Sequence, residues 1–359
     1  MKSHASMNRI YRLVWNASLS LWVAVAENAK GASKGGSARS SVQWDAVQAK
    51  AGGAGFTLNT ACRAALVLLT SLAVFTHQAR AADAANASVS AGAAGISTVG
   101  NTTTINQSSQ RVAIDWISLS TAANEALVFN QPNAQAIALN RITGSSPSEL
   151  LGSLTANGQV FILNPNGVLF GAGSQVNVGG LVASTLGMSN ADFMAGNHVF
   201  TGSGGSVVNQ GTLNAAPGGY LALLAPEVRN EGVMTASLGT ALLAAGNKVT
   251  LNLDNGSLLG YSIDQGAINA LAENKQLIQA NGGQVLLSAR AMDNLTTATV
   301  NNTGVIEAKT IQNKAGRIML MGDMETGTVN VGGTLDASAP NTDGMGGDGG
   351  FIETSAAHV

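Results

Sequence analysis

Residues 159–170 read QVFILNPNGVLF, two short apolar runs on either side of Asn164-Pro165-Asn166-Gly167. Asn is favoured at the first position of a type I β-turn, Pro pre-sets φ at the second position, and Gly suits the fourth. The flanking runs are rich in β-branched and aromatic residues, which are typical of strands. The stretch therefore predicts two strands joined by a tight turn.

Short fragments recur further along the chain. Residues 209–215, 230–236 and 302–308 share the pattern Asn-x-Gly-x-apolar-x-Ala, and residues 331–337 are a looser copy. A second pattern, a Gly turn followed by a strand, occurs at residues 218–225 and 282–289, with weaker copies at 315–321 and 349–354. A repeat of about 20 residues with Gly and Asn corners indicates a solenoid. Because these repeats lack a helical apolar stripe and a dense Leu framework, we predict an all-β chain folded as a parallel β-helix.

Such a β-helix would stack inward-facing aliphatic residues along its axis and could ladder Asn at its corners. At the strand spacing of about 4.8 Å, about twelve coils would form a rod roughly 55 Å long. A β-sandwich is the alternative, but it does not require self-similarity at this period. Two segments break the repeat and predict extra-helical insertions: residues 187–205, as a hairpin or short helix, and residues 261–279, in which 268–272 could be helical.

Composition and charge restrict the function. Residues 1–81 carry nine Lys or Arg and two acidic residues, and the remainder carries nine basic and 18 acidic residues, so nucleic acid is not an expected partner. Trp116, the only Trp after residue 81, is expected in the cap or core. His198 is expected to lie on the surface, or in a loop where its ring nitrogens have hydrogen-bond partners. Grouped carboxylates, a catalytic triad and a His/Cys cluster are not recognisable in the sequence. We therefore expect no enzyme, no metal site and no cofactor.

The N-terminal region has the organisation of an export leader. Residues 64–75 form an apolar run of signal-peptide length, too short for a comfortable membrane span. Ala79-Arg80-Ala81 follows as a small-x-small pattern, which predicts cleavage after Ala81. Cys62, the single cysteine, precedes this run, so the processed chain would have no disulfide.

Residues 156–185, which include the turn, closely resemble the secretion domain of two-partner-secretion exoproteins of the filamentous hemagglutinin type. Residues 7–34 resemble the extended signal peptide region of large Gram-negative exoproteins, with Met7 as a possible start. The resemblance implies a right-handed β-helix in which residues 83–110 form the cap and start the first coils. It also implies export by the Sec machinery and recognition in the periplasm by an outer-membrane β-barrel transporter with polypeptide-transport-associated domains. The chain would cross this transporter unfolded and fold outside into the β-helix, which gives a secreted or cell-surface location.

The same resemblance assigns roles to individual residues. Asn164, Pro165, Asn166 and Gly167 match the family's secretion motif, which acts either in recognition by the transporter or as the turn that lets the first coils form. A second motif of the Asn-Pro-Asn-Leu type has no clean copy; residues 130–133 are a poor substitute. The expected division is 1–34 extended signal peptide region, 35–81 spacer and signal core, 82–330 secretion domain, and 331–359 the start of further repeats in an apparently truncated chain.

The activity beyond export stays open at this point. An adhesin or hemagglutinin that contacts glycans or proteins on host-cell or bacterial surfaces is the first expectation. A contact-dependent inhibition toxin and a haem-acquisition exoprotein are alternatives with the same secretion domain. A β-helical polysaccharide lyase is a remote alternative, since it needs acidic residues grouped on one strand face.

Overall fold

The computed structural model describes residues 11–16, 21–26, 84–311, 313–340 and 347–359. The chain divides into two compact units, Met1–Ala73 and Val74–Val359. In the first unit, strands β1 (Tyr11–Asn16) and β2 (Leu21–Ala26) pair antiparallel, with Trp15 opposite Trp22. The second unit contains the repeats.

The second unit begins with a cap. A 3₁₀ turn spans Ala84–Asn86, and strands β3 (Ala87–Ala91) and β4 (Ala94–Val99) follow it. Both strands pair antiparallel with the first coil, whereas the later coils pair parallel with one another. The half-buried apolar side chains of β3 and β4 pack against the end of the core. A solenoid end that is not covered exposes apolar surface and a strand edge, and the cap covers this one, as predicted.

After the cap, the chain winds through three parallel faces, A, B and C, once per coil. Face A contains, in order, β5 (Thr102–Gln107), β7 (Ala126–Asn130), β10 (Ser153–Ala156), the first parts of β13 (Gln175–Ser184) and β16 (Thr212–Ala225), β18 (Val233–Thr235), β23 (Leu277–Gln279), β26 (Val305–Glu307) and β29 (Thr334–Asp336). Face B contains β6 (Arg111–Trp116), β8 (Ile137–Ile142), β11 (Gln159–Leu163), the second parts of β13 and β16, β19 (Thr240–Ala245), β24 (Gln284–Ala289), β27 (Arg317–Met321) and β30 (Phe351–Ser355). Face C contains β9 (Ser148–Leu150), β12 (Val168–Phe170), β15 (Ser206–Asn209), β17 (Glu227–Asn230), β22 (Ala270–Asn274), β25 (Ala298–Asn302) and β28 (Gly327–Val331).

These pairings make the second unit a right-handed parallel β-helix, the hand that parallel β crossovers almost always take. Face A shows nine coils within the described residues, so the prediction of about twelve coils was wrong. The cap and two insertions use residues that the simple period assigned to coils. At about 4.8 Å per coil, nine coils give a rod about 40 Å long.

The core runs along the axis and consists of the inward-facing aliphatic side chains of all three faces. Ile105, Val160, Leu221 and Leu287 are examples that are fully buried. Trp116 lies fully buried at the capped end, where its indole N–H donates to Oδ1 of Asn140 at 3.0 Å. The prediction that Trp116 packs in the cap or core is therefore confirmed.

A ladder of four asparagines follows the corner between face C and face A. Asn209, Asn230, Asn274 and Asn302 are fully buried, and the Nδ2 of each of the first three donates to Oδ1 of the next asparagine at 2.7–2.8 Å. The Nδ2 groups also donate to backbone carbonyls, such as Gly232 for Asn230 at 3.1 Å. Phe170 precedes the ladder in register and Val331 follows it, so apolar residues close both ends.

A column of glycines lines the corner between face A and face B. A Cβ atom built on Gly219, Gly239 or Gly283 would lie under 3.0 Å from the carbonyl oxygen of the glycine one coil earlier. Real Cβ atoms do not approach a carbonyl this closely, so the coils can stack at strand spacing only because these corners lack side chains.

Two insertions leave the solenoid between face B and face C. The first contains helix α1 (Asn190–Ala195) and β14 (His198–Thr201), and the second is the hairpin of β20 (Lys248–Asp254) and β21 (Ser257–Gln265). β14 pairs with β20, which gives a three-stranded antiparallel sheet over the outer side of face B. The first insertion matches its prediction, a hairpin or short helix. The prediction of helix at residues 268–272 was wrong, because this segment enters β22 and pairs with β17 and β25.

Candidate functional site

The turn at Asn164–Gly167 connects β11 on face B with β12 on face C in the third coil. All five residues of β11 are buried, and Val168 and Phe170 of β12 are buried after the turn. The Gly167 N–H donates to the Asn164 carbonyl at 3.1 Å and closes a β-turn. Gly167 has φ of +126°, a backbone conformation that favours glycine. The structure thus brings the four predicted residues together in one turn.

Asn164 is the buried anchor of this turn. Its Nδ2 donates to the Ser146 carbonyl and to Oγ of Ser148, both at 3.0 Å, which joins the turn to the preceding coil. Its backbone N–H donates to the Ser184 carbonyl at 2.9 Å, which joins the turn to the following coil. Its Oδ1 accepts from the Asn166 N–H at 3.0 Å. Asn164 and Ser148 are both fully buried, so the bond between their side chains is made without competition from water.

The other half of the turn faces solvent. Pro165 and Asn166 are exposed, and Nδ2 of Asn166 donates to the Gly144 carbonyl at 2.9 Å. On the opposite side, the Pro165 carbonyl accepts from the Gly205 N–H at 2.9 Å. A Cβ atom on Gly204 would lie under 3.0 Å from the same carbonyl oxygen. The exposed Pro165 and Asn166 are therefore presented in a fixed geometry by the coils on both sides.

Sequence reasoning missed the residues that hold the turn. Ser148 and Gly205 lie 16 residues before and 40 residues after the positions that they contact, and their types are common in any loop. Only the period of the repeat, counted from Asn164, could have pointed to them.

The segment 130–133 forms a corner between face A and face B, in which Gln131 is the buried residue. Gln131 is 7% exposed, and its Nε2 donates to the carbonyls of Ala136 and Gln159, both at 3.0 Å. Its Oε1 accepts from the Gly158 N–H at 3.0 Å. These bonds give the segment a structural role in stacking coils.

A second polar cluster joins the first coil to the first insertion. Arg111 on β6 donates from Nη1 to the Phe193 carbonyl at 2.6 Å, and the same nitrogen lies 3.5 Å from Nε2 of His198. The His198 ring packs edge-to-face on Phe161, with centroids 5.8 Å apart. His198 is 5% exposed on β14, so the prediction of a surface or loop position was wrong. The sequence around His198 carries no signal for the neighbours that bury it.

Burial, and next the positive charge of Arg111, lower the pKa of His198 to about 4. The third polar side chain at this place, Tyr220, has its pKa raised by burial and donates to Oε1 of Gln159 at 2.6 Å. His198 is therefore neutral in the folded protein over most of the acidic range, whereas an unfolded His gains its proton near pH 6.5.

This difference predicts acid sensitivity. The folded pKa is below the unfolded one, so the stability contributed by neutral His198 is present above pH 6.5 and is lost as the pH falls toward 4. Between pH 7.5 and pH 5, we expect His198 to account for about 2 kcal/mol of lost stability. Urea unfolding at both pH values should show a smaller loss for His198→Gln than for the unchanged chain. Equal losses in the two proteins would contradict the assignment.

Other predicted sites give different outcomes. Ala79 and Ala81 lie outside the described residues, so the predicted cleavage site has no structural account. Among the described residues, the structure places no three His, Cys, Asp or Glu side chains where they could hold a metal ion. In the same part of the chain, no helix has the length and apolarity needed to cross a membrane.

The fold and the turn define a class of protein: a parallel β-helix that is capped at its N-terminal end and displays a fixed Asn-Pro-Asn-Gly turn in its third coil. Comparison with known families agrees with this class. Residues 79–337 match the model of the TPS secretion domain, and residues 7–49 match that of the Extended Signal Peptide of the Type V secretion system. The chain belongs to the TPS, or two-partner-secretion, domain family.

Relatives and solved structures are consistent with the family. The chain is 33% identical over 269 residues to a heme/hemopexin-binding protein of Haemophilus influenzae strain Rd, covering 72% of this chain and 29% of that protein. A second heme/hemopexin-binding protein of Haemophilus influenzae is 30% identical over 243 residues, covering 61% and 26%. The crystal structure of the HMW1 secretion domain from Haemophilus influenzae superposes with a TM-score of 0.60 at 27% identity, covering 75% of this chain and 81% of that one.

The chain thus spans less than a third of the length of the curated relatives it matches. It is the secretion domain of a Gram-negative two-partner exoprotein, with an outer-membrane transporter as its partner. The protein crosses the periplasm and the outer membrane and is secreted or held at the cell surface.

Proposed function

We propose that the exposed half of the Asn164–Gly167 turn is read by the outer-membrane transporter and that its buried half serves the fold. The observation that carries the proposal is the division within the turn, since Pro165 and Asn166 face solvent and Asn164 and Gly167 are buried. Because the transporter takes up the chain before the coils stack, the local bonds of the turn, from the Gly167 N–H to the Asn164 carbonyl and from the Asn166 N–H to Oδ1 of Asn164, are the ones that can preset its shape for recognition. The polypeptide-transport-associated domains of the transporter are the proposed reader.

We also propose the order of events that precedes this contact. Residues 1–34 serve as the extended signal peptide region, and residues 35–81 as spacer and signal core for the Sec machinery. Cleavage after Ala81 releases a secretion domain of residues 82–330, and residues 331–359 continue the repeats. The absence of cysteine after Cys62 in the sequence supports folding that needs no oxidation step.

The test compares Asn166→Ala, Asn164→Ala and the control Asn294→Ala, each expressed with and without the cognate transporter. Asn294 is an exposed asparagine in a loop after β24, far from the turn in sequence. Asn166→Ala removes the exposed amide that the proposal assigns to the transporter. It should lower transporter-dependent release into the medium about tenfold, which corresponds to about 1.4 kcal/mol of lost binding free energy. Asn294→Ala should leave the release unchanged.

Refolding separates the two roles of the turn. The purified Asn166→Ala protein should refold from urea with nearly the stability of the unchanged chain, whereas Asn164→Ala should lose stability as well as release. If Asn166→Ala lowers release and stability in proportion, the residue serves the turn alone and recognition lies elsewhere. If the amount of released protein is the same with and without the transporter, and the same for Asn166→Ala and the unchanged chain, the proposed export mechanism is wrong.

For the whole exoprotein, we propose binding of haem or of a haem-carrying protein, without catalysis. The names of the two Haemophilus influenzae relatives support this choice over adhesion, hemagglutination or toxin delivery. The full-length protein should retain hemopexin on a surface in a concentration-dependent way, with bovine albumin as the control. Retention of glycans or host cells without retention of hemopexin would favour the adhesin.

A further inference from the structure

Three of the eight methionines of the second unit line one cavity. Four of the ten methionines in the chain lie between positions 292 and 324, at Met292, Met319, Met321 and Met324. A cavity of about 530 Å³ opens where β21 overhangs the corner between face B and face C. Met292, Met321 and Met324 line it, together with Tyr261 on the hairpin.

The geometry of the solenoid explains why these three methionine side chains line the same cavity. Ile318 and Leu320 of β27 are fully buried toward the axis, so the alternation of the strand turns Met321 outward. Met324 lies in the turn that follows β27 and is 61% exposed. Met292 lies in the equivalent loop one coil earlier, after β24, and is 42% exposed. Large exposed methionines have no packing role that would account for them at both loop positions.

Charges around the cavity favour a positive ligand. Three acidic residues line it, Asp293, Asp323 and Glu325, against one basic residue, Arg290. The Arg290 guanidinium donates to the Ile263 carbonyl at 2.6 Å and is held against the hairpin. The carboxylates of Asp293 and Asp323 accept backbone N–H bonds within their own turns through Oδ1, which keeps their negative charge beside the cavity. An apolar partner would have to dehydrate these charges, whereas a cation would gain from them.

We propose that Met292, Met321 and Met324 form a binding site for a soft monovalent metal ion, Cu(I) or its analogue Ag(I). Thioether sulfur is a soft ligand that selects Cu(I) over Zn²⁺, Mg²⁺ and Ca²⁺. Three neutral thioethers suit an ion of low charge, and the neighbouring carboxylates add attraction without direct coordination. The open cavity supplies an entry path. This site lies on coils seven and eight and is independent of the turn in the third coil and of export.

The test uses the full chain carrying Cys62→Ser, so that no thiol can bind the metal, and methyl-¹³C-labelled methionine. Ag(I) serves as the probe because it does not oxidise, and Cu(I) affinity is measured by competition with bicinchoninate. One equivalent of Ag(I) should shift the methyl resonances of Met292, Met321 and Met324 and leave those of Met194 and Met234 in place. Met194, 44% exposed on α1, is the matched exposed methionine.

Met324→Leu should weaken Cu(I) binding at least about tenfold, whereas Met194→Leu should not change it. Leu has nearly the volume of Met, and unchanged methyl resonances elsewhere would show that Met324→Leu is folded. Equal affinity in the two variants, or an Ag(I) titration that shifts all exposed methionines alike, would overturn the site. An absence of binding at micromolar metal would overturn it as well.

Discussion

Gly239→Ala is expected to destabilise the β-helix strongly, because a side chain at this corner clashes with the backbone of the preceding coil. The new Cβ would lie under 3.0 Å from the carbonyl oxygen of Gly219, in the corner column between face A and face B. Because the neighbour is backbone within a paired coil, relief requires the two coils to separate locally. We expect a loss of about 3 kcal/mol in the free energy of unfolding, read from urea titration followed by far-UV circular dichroism.

Gly260→Ala is the matched control. Gly260 lies in β21 of the outer hairpin, its φ is not positive, and a Cβ atom there would meet nothing within 4 Å. This variant should stay within about 0.5 kcal/mol of the unchanged chain. If Gly239→Ala and Gly260→Ala unfold at the same urea concentration, the coils tolerate side chains at the corner and the proposed reason for the glycine column is wrong.

Asn230→Ala is expected to have the second large effect. Asn230 lies in the middle of the ladder, accepts from Asn209 and donates to Asn274, both at 2.8 Å. Its loss leaves Nδ2 of Asn209 and Oδ1 of Asn274 buried without this partner, and each unsatisfied group costs about 1–3 kcal/mol. Together with the small cavity, we expect a loss of about 3 kcal/mol in stability by urea unfolding.

Asn214→Ala separates the ladder from a general effect of removing asparagine. Asn214 also bonds an asparagine of the neighbouring coil, Asn177, at 3.1 Å, but this pair lies on the outer side of face A. Water can replace the lost bond there, so the loss should be below about 1 kcal/mol. Similar losses for Asn230→Ala and Asn214→Ala would show that burial of the ladder contributes little.

The solenoid could be predicted from the sequence because its corners require particular residue types, Asn and Gly, at regular positions. Asn209, Asn230 and Asn302 each precede a glycine by two positions, and all three are in the ladder. The fourth member, Asn274, was not recognised, since Gln276 stands where the pattern has glycine. The hydrogen bonds of Asn274 are made by the side-chain amide and by the backbone of Gln276, so the glycine is dispensable at this corner.

The insertions show where the sequence is insufficient. Residues 268–272 were expected to be helical from a short apolar run, but β17 and β25 offer parallel partners for the same segment, and the pairing decides. His198 was expected near the surface because polar residues usually lie there. Its burial depends on Phe161 and Arg111, which are 37 and 87 residues away in the sequence and become neighbours only through the coils.

The pairing of β14 with β20 sets a minimum length for a soluble unit. β14 leaves the fourth coil, but its partner strand begins at Lys248, after the sixth coil has passed face B. Without β20, the aromatic cluster of Phe161, Phe193 and Phe200 on the outer side of face B is not covered by the three-stranded sheet. Coils added one by one therefore do not give equally well-packed fragments. A fragment that ends before β20 exposes these apolar side chains on the outer side of face B.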